Sequence, residues 1–135
     1  SLPVDVAIFS AAVADFKISK KNNIKIKKKD GLTINLEKNV DILNYVSNHN
    51  SMRPKLVIGF AAETNNLEDN AIDKLKNKNC DMIIANDVSN KSIGFDSDLN
   101  EVTIFYKNNK KEKLFAKNKS LISEEIVERV NNQLN

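Results

Sequence analysis

A lysine-rich segment, residues 17–29, is the part of the chain best suited to bind a negatively charged group. It contains no acidic and no aromatic residue, and its seven lysines are Lys17, Lys20, Lys21, Lys25, Lys27, Lys28 and Lys29. The segment could be a solvated flank, a nucleic-acid-binding patch, or a set of side chains that closes on one polyphosphate. Runs of like charge are usually solvated, and proteins that bind single strands place aromatic residues among the basic ones. Composition alone therefore favours the solvated flank and ranks nucleic acid lowest.

The spacing of particular lysines adds a more specific possibility. Alternation within "KIKK" (25–28) would place Lys25 and Lys27 on one face of a strand and Lys28 on the other. Ammonium groups that converge on a polyphosphate stabilise the negative charge that develops during group transfer. Lys74 and Lys78 are four residues apart and would share one face of a helix. There they could bind an anion or simply favour the helix dipole.

Asp15 and Phe60 lie where apolar runs end, which is where α/β folds bind their ligands. Asp15 could accept hydrogen bonds from a sugar hydroxyl or a base amine, or it could close a turn. Phe60 could stack on a base or fill the core. For the only histidine and the only cysteine, His49 and Cys80, we expect a helix end and core packing. With three glycines, the chain cannot hold a dinucleotide-binding or P-loop glycine motif.

The elements that would position these residues alternate between strands and helices. Buried strands are predicted at 4–9, 55–64 and 80–89, followed by an antiparallel pair at 101–106 and 112–116. Helices are predicted at 39–49 (capped by Asn39 or Asp41), 65–79 (capped by Asn65 or Asn66) and 120–134 (capped by Ser120). The alternating stretches "IKIK" (24–27) and "LTINLE" (32–37) predict an antiparallel hairpin or arm. We therefore expect an α/β, Rossmann-like three-layer fold with a largely parallel sheet plus this arm.

Length and composition suit one domain, residues 1–135. No apolar run approaches the roughly 20 residues that cross a bilayer, and a single cysteine excludes an internal disulfide framework, so we expect a cytoplasmic protein without membrane contact. The lysine-rich segment contributes +7 to a net charge of +3, which leaves −4 for the rest and favours a specific anionic ligand. The chain lacks an initiator Met and opens into a strand-like run, so we expect a domain truncated at its front.

Taken in order, these stretches resemble the ligase domain of bacterial phosphopantothenate–cysteine ligase over nearly the whole chain. The motifs are "AAVADF" (11–16), "KIKK" (25–28), "LEKNVDIL" (36–43), "VIGFAAET" (57–64), the A-x-x-K-x-x-x-K helix (71–78), "DMIIANDVS" (81–89) and "GFDSDLNEVTI" (94–104). The resemblance implies an enzyme of coenzyme A biosynthesis that activates 4′-phosphopantothenate with CTP and Mg²⁺ as an acyl-cytidylate. Attack by L-cysteine then gives phosphopantothenoylcysteine and CMP. The domain is often fused behind a flavin-dependent decarboxylase, and FMN is implied only in that case.

The resemblance also implies roles for individual residues. Lys25 is expected to hold the triphosphate and to assist formation of the acyl-cytidylate, which makes it the candidate catalytic residue. The other residues expected to bind CTP or line its site are Ala11, Ala12, Asp15, Lys27, Lys28, Asn39, Val40, Asp41, Ile42, Leu43, Phe60, Lys74 and Lys78. Val40 departs from the family's N-P-D-I pattern, so the turn lacks the rigidity that proline would give it. The sequence identifies no metal ligands.

The resemblance further implies a homodimer, with residues 17–37 as the candidate dimerisation arm and active-site flap. The family's Gly-rich strand–turn–helix and an asparagine that handles the acyl-cytidylate come before the matched motifs. We therefore expect little or no turnover from residues 1–135 alone. The alternative hypothesis is a non-catalytic interaction domain that uses the basic hairpin to bind another chain.

Overall fold

The computed structural model describes residues 2–21, 23–25, 27, 31–89 and 97–135 of the chain. Its elements, in chain order, are β1 (Val6–Phe9), β2 (Phe16–Ile18), β3 (Leu36–Lys38), α1 (Ile42–Ser47), β4 (Leu56–Glu63), α2 (Leu67–Asn77), β5 (Met82–Asp87), β6 (Leu99–Tyr106), β7 (Lys111–Asn118) and α3 (Lys119–Leu134). Within these described ranges, no helix is both long and apolar enough to span a membrane.

Five strands form one sheet in the order β1-β4-β5-β6-β7, and β2 pairs with β3 in a separate hairpin. β4 runs parallel to both β1 and β5, whereas β6 is antiparallel to both β5 and β7. The parallel strands are the apolar runs that the sequence predicts, because a strand covered on both faces needs apolar residues on both. The predicted α/β fold with parallel strands, an antiparallel pair and an arm is confirmed.

Helices cover both faces of the sheet and so make the three layers. α2 packs on one face, where Leu75 joins a buried cluster that includes Ile83. α3 packs on the other face, where Ile126 joins a second buried cluster that includes Ile84. Successive residues of a strand point to opposite faces, so Ile83 and Ile84 serve the two clusters from one strand.

Gly59 allows α1 to approach β4 closely. A Cβ atom at this position would lie 2.8 Å from Cδ1 of Ile83 and 3.2 Å from Cδ2 of Leu43. Leu43 is the second residue of α1 and packs against the same cluster as α2. The missing side chain therefore lets the start of α1 sit over the parallel strands, close to where they end.

The helix caps differ in part from the predicted ones. Asp41 caps α1, as predicted, because its Oδ1 accepts a hydrogen bond from the amide of Asn44 at 2.8 Å. Asn66 precedes α2 in the left-handed region, with φ of 49°, but makes no capping bond through its side chain. The prediction of Ser120 as a cap was wrong: α3 begins one residue earlier, and Asn118 accepts a hydrogen bond from the amide of Ser120 at 2.9 Å.

The hairpin forms from different residues than the alternation predicted. Phe16–Ile18 pairs with Leu36–Lys38, whereas residues 31–35 and the described part of "IKIK" are not in strands. The observed register sets Lys17 opposite Glu37, with Nζ and Oε1 3.3 Å apart. Opposite charges that face each other across two strands stabilise the pairing. The stretches "IKIK" and "LTIN" contain no acidic residue, so pairing them would give no ion pair across the strands. The observed pairing of β2 with β3 gives one.

Candidate functional site

A cleft of about 370 Å³ opens at the carboxyl end of β1, beside Phe60 in the second half of β4. Its described lining residues come from β1 and the segment after it, from the segment that leads into α1, from β4, and from the end of α2. They are Ile8, Phe9, Ser10, Ala11, Val13, Ala14, Asp15, Asn39, Val40, Asp41, Ile42, Leu43, Phe60, Lys74 and Lys78. The cleft therefore lies where an α/β fold binds its ligands.

Asn39 ties together the two segments that form one wall of the cleft. Its Nδ2 donates to the carbonyl of Ala14 at 3.1 Å, and its backbone amide donates to the carbonyl of Asp15 at 2.7 Å. Its Oδ1 accepts a hydrogen bond from the amide of Val40 at 3.0 Å. Because β2 begins and β3 ends next to these residues, the hairpin fixes the wall in place.

Asp41 connects α1 to the end of α2. While Oδ1 caps α1, Oδ2 accepts a hydrogen bond from Nζ of Lys78 at 2.5 Å. Burial by itself would raise the pKa of Asp41, but the hydrogen bonds from Lys78 and the Asn44 amide, with the charges of Lys78 and Lys74, outweigh it. The pKa of Asp41 therefore lies below its usual range, and the carboxylate is ionised at neutral pH.

Lys74 is held differently from Lys78. Its Nζ donates to the carbonyl oxygen of Phe60 at 2.7 Å, so its partner is neutral. An ammonium group has three donors, and Lys74 therefore keeps two for a ligand. The ring of Phe60 is partly buried against the α3 cluster and also lines the cleft. Lys74 and Phe60 therefore both line the cleft, and the backbone carbonyl of Phe60 holds the ammonium group in place.

The structure brings together most, but not all, of the residues predicted to bind a nucleotide. Those that line the cleft are Ala11, Asp15, Asn39, Val40, Asp41, Ile42, Leu43, Phe60, Lys74 and Lys78. Ala12, Lys25 and Lys27 are exposed and are not among the described lining residues. Lys28 lies outside the described residues, as do Ile26 of the predicted hairpin and residues 94–96 of the last motif. The binding role of every residue in this set stays a prediction.

The sequence analysis did not single out the apolar part of the cleft. Ile8 and Phe9 line it from β1, and Val13 lines it from the following segment. Consecutive strand residues point to opposite faces, so Ile8 and Phe9 both reach the cleft only because it lies across the end of the strand. The available signal was the position of these residues at the carboxyl end of a predicted parallel strand.

Cys80 and His49 have structural positions outside the cleft lining. Cys80 is fully buried, and burial raises its pKa to about 11, so the thiol stays protonated and unreactive. His49 lies just beyond α1, where its Nδ1 accepts a hydrogen bond from the amide of Met52 at 3.2 Å. Its ring meets Tyr45 edge-on with centroids 5.7 Å apart. The expected core packing and helix-end position are confirmed.

Among the residues that the structure describes, no group of three or more His, Cys, Asp or Glu side chains could hold a metal ion. The described lining of the cleft includes two carboxylates, Asp15 and Asp41, and the second is engaged by Lys78. Mg²⁺ prefers oxygen ligands and usually binds through one or two carboxylates plus substrate phosphates. The cleft therefore fits a Mg²⁺ ion that arrives on a polyphosphate, with Asp15 as the available carboxylate.

A family model described as the DNA/pantothenate metabolism flavoprotein C-terminal domain matches residues 2–134. The chain belongs to this family. The resemblance identified from the sequence motifs is thereby confirmed at the level of the family, over the whole range in which the cleft residues lie.

Curated relatives in this family include coenzyme A biosynthesis bifunctional proteins. CoaBC of Bacillus subtilis is 41% identical over 127 residues, and CoaBC of Haemophilus influenzae is 43% identical over 126 residues. Each alignment covers 93% of this chain and 31% of the relative, so the chain spans less than a third of their length. A solved C-terminal domain of a CoaBC protein superposes with a TM-score of 0.74 at 34% identity, covering 97% of this chain and 55% of that chain.

Proposed function

We propose that this chain is the CTP-binding part of a phosphopantothenate–cysteine ligase domain that acts in coenzyme A biosynthesis. The observation that carries the proposal is the cleft, in which Asp15, Asn39–Leu43, Phe60, Lys74 and Lys78 meet at one edge of the sheet. These are residues that the family resemblance assigns to CTP. Membership of the family and similarity to coenzyme A biosynthesis proteins support the same function.

The proposed reaction has two steps. A carboxylate oxygen of 4′-phosphopantothenate attacks the α-phosphorus of CTP, and diphosphate leaves with the bonding electrons. The amine of L-cysteine then attacks the acyl carbon, CMP leaves, and the amine gives up a proton. Such chemistry needs alignment and charge stabilisation more than a covalent nucleophile. Mg²⁺ on the triphosphate would neutralise part of its charge.

The cleft offers a suitable environment to each part of the nucleotide. Its apolar wall and the ring of Phe60 suit a base, and the carboxylate of Asp15 suits a sugar hydroxyl or a base amine. Lys74 and Lys78 suit phosphate groups. Because Lys25 and Lys27 are exposed outside the cleft, their proposed contact with the triphosphate requires residues 17–37 to close over it.

Titration calorimetry with CTP and ATP in the presence of Mg²⁺ tests this proposal. We expect CTP-selective binding that weakens steeply as salt rises, because contacts between exposed charges are screened. Lys25→Gln should cause a large loss of affinity. Lys76→Gln is the matched control, since Lys76 is an exposed lysine of α2 that is not among the cleft residues. Failure of the intact gene product to bind CTP would refute the proposal.

Turnover is expected to separate from binding. Residues 1–135 should bind CTP but release little or no diphosphate when both acceptor substrates are present, because the family's asparagine that handles the acyl-cytidylate is not among them. Diphosphate release, measured side by side for this chain and for the intact gene product, checks the difference. Full turnover by residues 1–135 would contradict this part of the proposal.

The β2–β3 hairpin supports a second candidate function, that of an interaction module. Its side chains are exposed, with Phe16 at 54% and Leu36 at 58%, and a hairpin of two short strands is marginally stable by itself. We propose that residues 17–37 pack against a second copy of the chain as a dimerisation arm. Sedimentation with and without residues 17–30 tests this. Loss of the dimer with intact nucleotide binding favours the interaction module, and loss of both favours an arm that also closes the cleft.

A further inference from the structure

The formal charges of the described cleft residues cancel. The lining contains two carboxylates, Asp15 and Asp41, and two ammonium groups, Lys74 and Lys78. A site with no net charge does not concentrate anions, and this sets the cleft apart from a simple basic patch. Any affinity for a polyphosphate must therefore come from rearranged contacts or from charges outside the lining.

Asp41 is the group that cancels Lys78. Its two oxygens both have partners, the amide of Asn44 at 2.8 Å and Nζ of Lys78 at 2.5 Å. The side chains of the ion pair are 43% and 35% exposed, so solvent and ligands reach them. Lys78 has further donors for a phosphate, but a phosphate group that binds it comes next to the negative charge of the Asp41 carboxylate. By contrast, Lys74 donates to a neutral carbonyl, so the partner of its printed hydrogen bond carries no negative charge.

We propose that Asp41 is a specificity-determining residue that exchanges Lys78 for a donor group of the nucleoside, an inference that rests on the proposed function of the cleft. When Lys78 turns to a phosphate, Oδ2 of Asp41 loses its donor while it still lines the cleft. A ligand with a sugar hydroxyl or a base amine supplies a replacement donor. A bare diphosphate supplies none and leaves an unpaired carboxylate beside its own charge.

This exchange would let the cleft distinguish the nucleotide substrate from the diphosphate product. A site that must hydrogen-bond a ligand group rejects an analogue that lacks the group, because its own polar atoms are left without partners. The cleft would then retain a nucleoside triphosphate and release the diphosphate product, although both carry phosphate groups. An exposed carboxylate–lysine pair is a weak interaction, so a phosphate can displace the carboxylate from Lys78.

Asp41→Asn separates this role from helix capping. Asparagine caps helices about as well as aspartate, so α1 keeps its cap while Lys78 loses its charged partner. Titration calorimetry should show diphosphate binding about three- to tenfold tighter than in the wild type, which corresponds to the loss of one exposed ion pair and of a repulsive charge. CTP with Mg²⁺ should bind no tighter, because the Asn amide nitrogen cannot accept from the nucleoside.

Two further variants control the experiment. Lys78→Met in the Asp41→Asn background should abolish the gain in diphosphate affinity, since the gain acts through Lys78. Asp5→Asn removes the same charge from another exposed pair, with Lys55 at 2.9 Å, at the amino end of β1. It should change neither affinity, and circular dichroism should show that every variant is folded.

The outcomes distinguish this inference from the proposed function. An unchanged or weaker diphosphate affinity in Asp41→Asn would overturn it, as would an equal gain for diphosphate and CTP. A gain that survives Lys78→Met would overturn it too, because the effect would then be one of general charge. If the wild type fails to bind CTP, the proposed function fails, while the diphosphate titrations still decide whether Asp41 holds Lys78 back.

Discussion

The sheet core and the β2–β3 hairpin contain the same kinds of apolar side chain but differ in what those side chains contact. Ile58, Ile83 and Ile84 are fully buried, because α2 and α3 cover the two faces of the sheet. Leu32 and Ile34, beside the hairpin, are more than half exposed. Alternation of apolar residues therefore predicts a strand-like surface without showing that the same chain covers it.

Because of this difference in burial, we expect the core to determine stability and the hairpin to take part in binding. The core supplies apolar burial, and the hairpin supplies exposed apolar surface next to the cleft and next to the lysine-rich segment. Large exposed apolar patches usually mark a surface that contacts another molecule. We therefore expect substitutions in the core to change folding, and equivalent substitutions near the hairpin to change association or ligand binding.

The largest expected effect comes from comparing Ile84→Ala with Ile34→Ala. Removing the buried side chain of Ile84 should lower the free energy of unfolding by about 2–5 kcal/mol, because it leaves a cavity in the α3 cluster. The same change at exposed Ile34 should stay within about 0.5 kcal/mol. Urea denaturation measures both. Equal losses would contradict the comparison, and a loss at Ile34 that grows with protein concentration would identify a second copy as its partner.

Arg53 should produce the next largest effect, because it joins three parts of the core region. Its guanidinium donates to the carbonyls of Ser47, Pro54 and Asn79 at 2.8–2.9 Å and to Oδ2 of Asp81 at 3.0 Å. Arg53→Ala should cost about 2–4 kcal/mol in urea denaturation. Arg53→Lys keeps the charge but not the planar fork, so it should recover only part of the loss. Full recovery would show that the charge alone matters.

Gly59→Ala tests how closely α1 packs on the sheet. The added methyl would meet Ile83 and Leu43, so the free energy of unfolding should fall by about 1–3 kcal/mol. Ile83→Val removes the Cδ1 atom that the new methyl would meet at 2.8 Å. The double variant should therefore be more stable than the sum of the two single losses predicts. Strict additivity in denaturation measurements would show that Gly59 is not tightly enclosed.

The sequence predicted the core better than the hairpin for a physical reason. β4 and β5 are continuous apolar runs because both faces are covered, so the pattern and the burial agree. In the hairpin no face is buried by the described residues, and register is weakly specified where burial does not select it. The observed register places Lys17 opposite Glu37, and alternation alone could not identify this pairing.

The sequence predicted most of the polar residues that line the cleft, but neither its apolar wall nor its contacts. The order of the motifs named Asp41 and Lys78 as neighbours of one ligand, although 37 residues separate them. No spacing rule indicates that they would bind each other, because that contact depends on how α1 crosses the end of α2. The hydrogen bond from Lys74 to the carbonyl of Phe60 was equally unpredictable, since a sequence does not show where a backbone carbonyl points.

The smallest expected effect concerns an ion pair at the α3 side of the core. Arg129 donates to Oε1 of Glu112 at 2.7 Å, and the hydroxyl of Tyr106 donates to Oε2 at 3.2 Å. The hydrogen bond from Arg129 holds the pKa of Glu112 below its usual range, although burial opposes it. A carboxylate with a lowered pKa stabilises the fold above its unfolded pKa, and this stability is lost as the pH falls through the folded pKa.

Glu112→Gln should therefore destabilise the protein by at most about 1 kcal/mol at pH 7, because the pair is partly exposed. The difference from the wild type should shrink as the pH falls below about 4.3, the usual pKa of glutamate. Asp41 and Asp87 also have lowered pKa values, so both proteins will lose stability in acid, and only the difference between them reports on Glu112. Glu68→Gln, which breaks the more exposed pair with Lys111, should change little at either pH. A gap between Glu112→Gln and the wild type that stays constant from pH 7 to pH 3 would show that packing, rather than the charge, gives Glu112 its role.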